Sequence, residues 1–223
     1  MRPLIVALDL ETDREALELV KHLRVNVDLF KVGPVLFMKY GPALIQSIHA
    51  LGAKVFLDLK LHDIPSVVAK GVKRAGELGV YSLTLHASGG EEMMKRSAKV
   101  ARRPKLWGVT VLTSMDALGL QGIGIRQSPL EQVRRLAALA RSSGLNGVVA
   151  SVEETPTLRK ELGPNFEIIT PGIRLAAGGD DQKRVATPAD AVKAGSTFFV
   201  MGRPVLEAKD PVKFVKGIYD SLK

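Results

Sequence analysis

The chain contains no cysteine. That removes structural disulfides and thiolate metal sites, and it suits a reducing compartment. Aromatic residues are scarce, at 5% of the chain with a single tryptophan. Such a composition argues against a platform that stacks the bases of single-stranded nucleic acid. Long apolar runs are missing as well. The first, Leu4-Ile5-Val6-Ala7-Leu8, meets Asp9 at once, which is too short for the apolar region of a secretory signal. No stretch approaches the roughly 20 apolar residues that cross a bilayer. The expectation is a cytoplasmic protein with no membrane association. No Gly-x-Gly-x-x-Gly follows the first apolar run, which weighs against an open dinucleotide-binding sheet.

Positive charge, by contrast, is in excess: 32 Lys and Arg against 23 Asp and Glu give a net charge of +9. Such a balance attracts phosphates in general. The basic residues are dispersed, however. The densest patch, Lys99 to Lys105 with Arg102-Arg103, has no aromatics interleaved. A solvated basic surface accounts for this pattern, and no nucleic-acid partner is expected. With 46% hydrophobic and 25% charged residues, the chain has the make-up of a globular domain with a substantial core.

Short apolar runs alternate with amphipathic ones along the whole sequence. The strand candidates are Leu4–Leu8, Val27–Val32, Lys54–Lys60, Tyr81–Leu85, Leu106–Leu112, Gly147–Ala150, Glu167–Thr170 and Thr197–Met201. Most are continuously hydrophobic, as parallel strands buried on both faces must be. Helix signals lie between them. Thr12-Asp13-Arg14-Glu15 fits a capping box. Thr187-Pro188 and Asp210-Pro211 each place a capping residue before a proline at the first helical position. Gly52 and Gly144 fall where left-handed caps are expected. Eight strand–helix units in this length predict an α/β chain folded as one (β/α)8 TIM barrel over residues 1–223. The longest loops, Thr113 to Gln127 and Pro171 to Ala186, both follow strands, on the face where such barrels carry their sites.

Chemistry-bearing residues gather at those strand ends. Asp9 ends the first strand and Lys31 the second. Asp58 and Lys60 end the third, with Asp63 just beyond, and alternation along a strand points Asp58 and Lys60 the same way. The pattern suggests a lysine held between carboxylates. His86 follows the fourth strand, and Thr113 and Ser114 the fifth. Pro171, Arg174 and Gln182 lie after the seventh, Gly202 and Arg203 after the eighth. A closed barrel brings all of these to one rim. A buried ion pair gains little over an apolar replacement, so two carboxylates and two lysines together (Asp58, Asp63, Lys31, Lys60) point to function. His62 and His86 are expected as hydrogen-bonding structural groups, since no ligand set surrounds them. Arg174 and Arg203 offer planar donor forks for a phosphate, Gly202 lets backbone approach a ligand, and Gly178-Gly179 gives its loop the freedom of a lid.

The ordered set Val6-Ala-Leu-Asp9, Phe30-Lys31-Val-Gly33, Asp58-Leu-Lys60-Leu-His-Asp63-Ile-Pro65, Val109-Thr-Val-Leu-Thr113-Ser-Met115, Pro171-Gly-Ile-Arg174, Asp181-Gln182-Lys-Arg184 and Met201-Gly202-Arg203-Pro204 closely resembles the orotidine 5′-phosphate decarboxylases in their short bacterial form. The resemblance runs the length of the chain. It implies a dimeric barrel with no metal and no cofactor that converts orotidine 5′-phosphate to UMP and carbon dioxide. It implies that Lys60 gives a proton to C6 of the pyrimidine and that Asp58 lies near the departing carboxylate. It further implies that Asp63 reaches into the partner subunit's site, so that a homodimer shares its active sites. Asp9 and Lys31 would hold the ribose hydroxyls, Thr113 the pyrimidine, and Pro171, Arg174, Gln182, Gly202 and Arg203 the rest of the substrate and its phosphate. One departure stands out: after Asp63-Ile64-Pro65 this chain has Ser66-Val67 where the family often has Asn-Thr, so a hydroxyl at 67 is missing.

Two other readings are open to the residues. Magnesium-dependent sugar-phosphate decarboxylases and aldol-type synthases share the Asp-x-Lys-x-x-Asp core. They resemble this chain but carry a glutamate where Lys31 stands, and an ammonium cannot ligate Mg²⁺. A basic, non-catalytic nucleic-acid-binding barrel would need a long basic stripe rather than polar groups converging on strand ends.

Overall fold

The computed structural model describes residues 1–174 and 186–222. Each apolar run becomes a parallel strand: β1 (Leu4–Ala7), β2 (Leu29–Val32), β3 (Lys54–Leu61), β4 (Ser82–His86), β5 (Lys105–Val109), β6 (Gly147–Val149), β7 (Glu167–Thr170) and β8 (Phe198–Met201). They pair in sequence order, and β8 returns to β1, closing the barrel. Closure leaves no strand edge unpaired, which is how short strands of three to eight residues hold a stable sheet. Around them run α1 (Asp13–Leu23), α2 (Pro34–Ala50), α3 (Pro65–Glu77), α4 (Glu91–Ala98), α5 (Ala117–Gly122), α6 (Pro129–Ser142), α7 (Thr155–Leu162), α8 (Pro188–Ala194), α9 (Arg203–Leu206) and α10 (Pro211–Asp220).

The helices start where the sequence signals them. Thr12 Oγ1 accepts from the Glu15 N–H, and Glu15 Oε2 accepts from the Thr12 N–H, both at 3.2 Å. Thr187 makes the same reciprocal pair with Asp190 ahead of α8. Asp210 caps α10 through the Lys213 N–H at 2.9 Å. Caps of this kind contribute about 1 kcal/mol each. Gly52 and Gly144 take φ of +78° and +86° beyond α2 and α6, the left-handed turn that a Cβ disfavours.

Alternation along the strands makes two cores. Residues facing outward, such as Phe30, Leu85 and Val148, pack beneath the helices with Ile45, Met94 and Val133. Residues facing inward, Ile5, Leu29, Phe56, Trp107, Ile169, Phe198 and Val200, fill the barrel itself. Trp107 is the centre of that filling. Its ring meets Phe56 edge-on at 4.7 Å and Phe198 at 5.8 Å, and its Nε1 donates to Glu167 Oε2 at 2.8 Å. Aromatic contacts of this geometry add to area burial. They fill the inside of the barrel beneath the strand ends.

Several strand bounds shift by one residue from the sequence reading, with β4 running to His86, and three differences are larger. β2 starts at Leu29 rather than Val27, and β5 ends at Val109 rather than Leu112. Beyond Val109, Thr110 still bonds β6: its N–H and its Oγ1 both donate to the Val149 carbonyl. The stretch expected as the loop Thr113 to Gln127 contains α5, started by Asp116, whose Oδ1 accepts from the Gly119 N–H at 2.9 Å. Two glycines in six residues hid this helix, since glycine weakens helical propensity.

Replacing Trp107 by Ala should lower unfolding free energy by about 3–5 kcal/mol, the range for truncating a buried aromatic. Urea denaturation measures this, and an unchanged midpoint would contradict the packing role given to that ring.

Candidate active site

Strand ends carry the charged residues to one mouth. Asp9 follows β1, Lys31 lies in β2, and Asp58 and Lys60 lie in β3. Lys60 Nζ is 2.8 Å from Asp58 Oδ2. Lys31 Nζ is 2.9 Å from Asp9 Oδ1 and 3.8 Å from the same Asp58 Oδ2. Acid and base alternate along a chain from Asp9 through Lys31 and Asp58 to Lys60. Asp58 is the buried member, 8% exposed. Both its oxygens are engaged, because Oδ1 accepts from the Thr84 hydroxyl at 2.8 Å.

Simple alternation does not describe how Lys60 arrives there. The β3–β4 register runs Leu57 to Leu83 and then Leu61 to Leu85, a shift that marks a bulge. Lys60 sits inside it with φ of 49°, one of two non-glycine residues with positive φ among those described. A lysine in that region is strained backbone, the kind that persists where surrounding contacts over-determine it. Bulges beside active sites re-aim side chains, and this one turns the ammonium toward Asp58.

The charged groups border a cavity of about 480 Å³, within the range of small-ligand sites. Asp9, Lys31, Asp58, Lys60, Thr113, Ser114, Pro171, Arg174, Gly202 and Arg203 all line it. Its floor is apolar: Val109, Val111, Val149, Ile169 and Val200. A Cβ at Gly202 would lie 3.4 Å from Asp9 Oδ2, so glycine there leaves the space over Asp9 open. Arg174 and Arg203 bring two guanidinium groups to the same rim. The Arg174 N–H donates to the Ala186 carbonyl at 2.9 Å. Gln182 and the Gly178-Gly179 pair lie outside the described residues, as do Asp181 and Arg184.

Asp63 does not join the cluster. The lysine held between two carboxylates of one chain is not what forms: Lys60 pairs with Asp58 alone of the two. β3 ends at Leu61, and the turn into α3 carries Asp63 to the surface, where its Oδ1 accepts from the Ile64 N–H at 2.6 Å. His62 and His86 meet each other ring to ring, with centroids 5.5 Å apart. Burial first, then His62 and Lys60, lower the His86 pKa from its usual value, with Asp58 opposing. That favours the neutral imidazole beside the lysine. Among the described residues, no group of three or more His, Cys, Asp or Glu side chains gathers as a metal site.

The sequence reading missed Thr84 and the apolar floor. Thr84 had a readable signal. It alternates with Leu83 and Leu85, which pack outward, so it must face into the barrel beside Asp58.

Known proteins resemble this chain along almost its whole length. Residues 2–218 match the Orotidine 5'-phosphate decarboxylase / HUMPS family. The orotidine 5'-phosphate decarboxylase of Vibrio parahaemolyticus is 48% identical over 225 residues, covering 98% of this chain and 96% of its own length. That of Neisseria meningitidis serogroup C is 48% identical over 222 residues, covering 97% of this chain and 90% of its own. Among solved structures, orotidine 5'-phosphate decarboxylase from Lactobacillus acidophilus superposes with a TM-score of 0.88 at 36% identity, over 100% of both chains. The chain therefore belongs to the orotidine 5'-phosphate decarboxylase / HUMPS family.

Proposed function

We propose that this enzyme is a carboxy-lyase that converts orotidine 5′-phosphate to UMP and carbon dioxide in pyrimidine biosynthesis, using its own side chains and no metal or cofactor. The observation that carries the reading is the Lys31–Asp58–Lys60 arrangement at the mouth of an apolar cavity. The C6–carboxylate bond breaks, carbon dioxide leaves, and the electron pair stays on C6 in an orbital with little resonance relief. Lys60 meets that developing charge as a positioned cation and delivers a proton to C6. Solvent then restores the proton to Lys60. A preorganised charge that needs no rearrangement during reaction is the largest lever available to such a site. Asp58, locked by its contacts, holds the ammonium in place and presents a like charge to the substrate carboxylate.

Lys31 supports the metal-free reading over the magnesium-dependent branch of the superfamily. Its ammonium already lies between the Asp9 and Asp58 carboxylates, the space a divalent ion would need, and it offers no oxygen to one. Asp9 and Lys31 then take the ribose hydroxyls, Thr113 the pyrimidine, and Pro171, Arg174, Gln182, Gly202 and Arg203 the rest of the substrate and its phosphate. Binding energy from the distant phosphate helps organise the reacting end.

The working form is a homodimer in which Asp63 serves the neighbouring subunit's Lys60. Asp63 is at the surface beside Ile64 and Val67, which are 62% and 44% exposed. Val35 and Met38, on the helix that follows the adjacent strand, are 65% and 86% exposed. Exposed apolar side chains near a site suit a protein contact, and Val67 in place of a hydroxyl residue adds one more.

Loss of orotidine 5′-phosphate absorbance should proceed at an unchanged rate with EDTA present. Activity that disappears on chelation and returns with Mg²⁺ would overturn the metal-free reading. Lys60→Ala should reduce turnover by several orders of magnitude while substrate binding stays measurable by calorimetry; turnover near that of the unaltered enzyme would exclude the proton-donor role. Mixing Lys60→Ala with Asp63→Ala protomers should restore part of the activity that each lacks, because one site of the hybrid is intact. If subunit exchange is demonstrated and no activity returns, the shared site is wrong.

A further inference from the structure

We infer that Thr84 is a positioning residue for the decarboxylation, one hydroxyl that fixes both Asp58 and Lys60 without touching substrate. The inference rests on the function proposed above. Thr84 is fully buried in the middle of β4 and is not among the residues lining the cavity. Anything it does for catalysis passes through its neighbours.

The bulge explains why a hydroxyl is needed there. From Leu57 to Leu61 the β3 backbone advances four residues while β4 advances two, Leu83 to Leu85. The extra residues lose their regular ladder partners, and a buried N–H without an acceptor is costly. Thr84 Oγ1 supplies that acceptor to the Lys60 N–H at 2.9 Å. A side chain thus replaces a strand carbonyl at the residue whose φ of 49° is strained.

The direction of each bond then follows. A hydroxyl has one proton. An amide N–H can only donate, so Thr84 accepts from Lys60, and its own proton goes to Asp58 Oδ1, 2.8 Å away. That leaves Asp58 Oδ2 for the Lys60 ammonium at 2.8 Å. Hydroxyl, carboxylate and lysine close a ring, with Lys60 held at its backbone by Thr84 and at its tip by Asp58. The β-branched side chain is stiff about χ1, so the hydroxyl is itself aimed by the barrel wall. Without it, the carboxylate is free to rotate and the Lys60 backbone loses its anchor. A displacement of the proton donor by a fraction of an ångström is enough to cost rate.

The test compares Thr84→Val, which keeps shape and removes the hydroxyl, with Thr84→Ser, which keeps the hydroxyl. In Thr84→Val, kcat should fall about ten- to a hundredfold, the loss of a hydrogen bond to a charged group, with KM within about threefold of the unaltered enzyme. Thr84→Ser should retain kcat within about fivefold. A Val variant with kcat within about twofold of the unaltered enzyme overturns the inference. So does an equal loss in Val and Ser, which assigns the effect to packing. Independently of any variant, the Lys60 amide should be protected from hydrogen exchange in the unaltered enzyme; exchange at the rate of an open loop also overturns it. If the unaltered enzyme itself leaves orotidine 5′-phosphate intact, the proposed function fails instead, and the two failures are distinguishable.

Discussion

One buried carboxylate organises the mouth of this barrel. Asp58 accepts from Thr84 on one oxygen and faces Lys60 and Lys31 on the other. A lone charge at that depth would be several kcal/mol unfavourable. The surrounding donors make it tolerable, and in return it fixes where two ammonium groups stand. The bulge in β3, the left-handed backbone at Lys60 and the inward polar residue on β4 all follow from bringing those donors to Asp58. An apolar cluster of the same volume would hold the barrel at least as well. What the charges add is a cation held beside the apolar lining of the cavity.

The barrel was legible because buried parallel strands are written as continuous apolar runs, and Val55-Phe56-Leu57 or Phe198-Phe199-Val200 can hardly be read otherwise. Rim residues were legible by position: once eight runs are placed, Asp9, Lys31, Asp58 and Arg203 stand at their ends. What depends on pairing between strands was not legible. The register shift that bends the backbone at Lys60 is a relation between β3 and β4, and neither strand records it alone. The short helix α5 rests on one cap at Asp116 and carries two glycines that dilute its signal. Thr84 reads as one more small residue in an apolar run until Asp58 is seen beside it.

Asp63 shows a further limit. Sequence proximity joined it to Lys60, and the end of β3 at Leu61 separated them in space. The Asp58-to-Asp63 stretch combines two kinds of geometry: a strand that looks into the barrel and a turn that looks away from it. A motif read along the chain merges the two.

The aromatic packing around Trp107 leaves the cavity at the strand ends as the enzyme's doorway. Phe56, Trp107 and Phe198 pack together inside the barrel, and the cavity is bordered by residues at the strand ends. Substrate and products of the decarboxylation meet the same rim residues. Arrival and departure are therefore sequential traffic through the same rim, and whatever occupies that rim governs both at once.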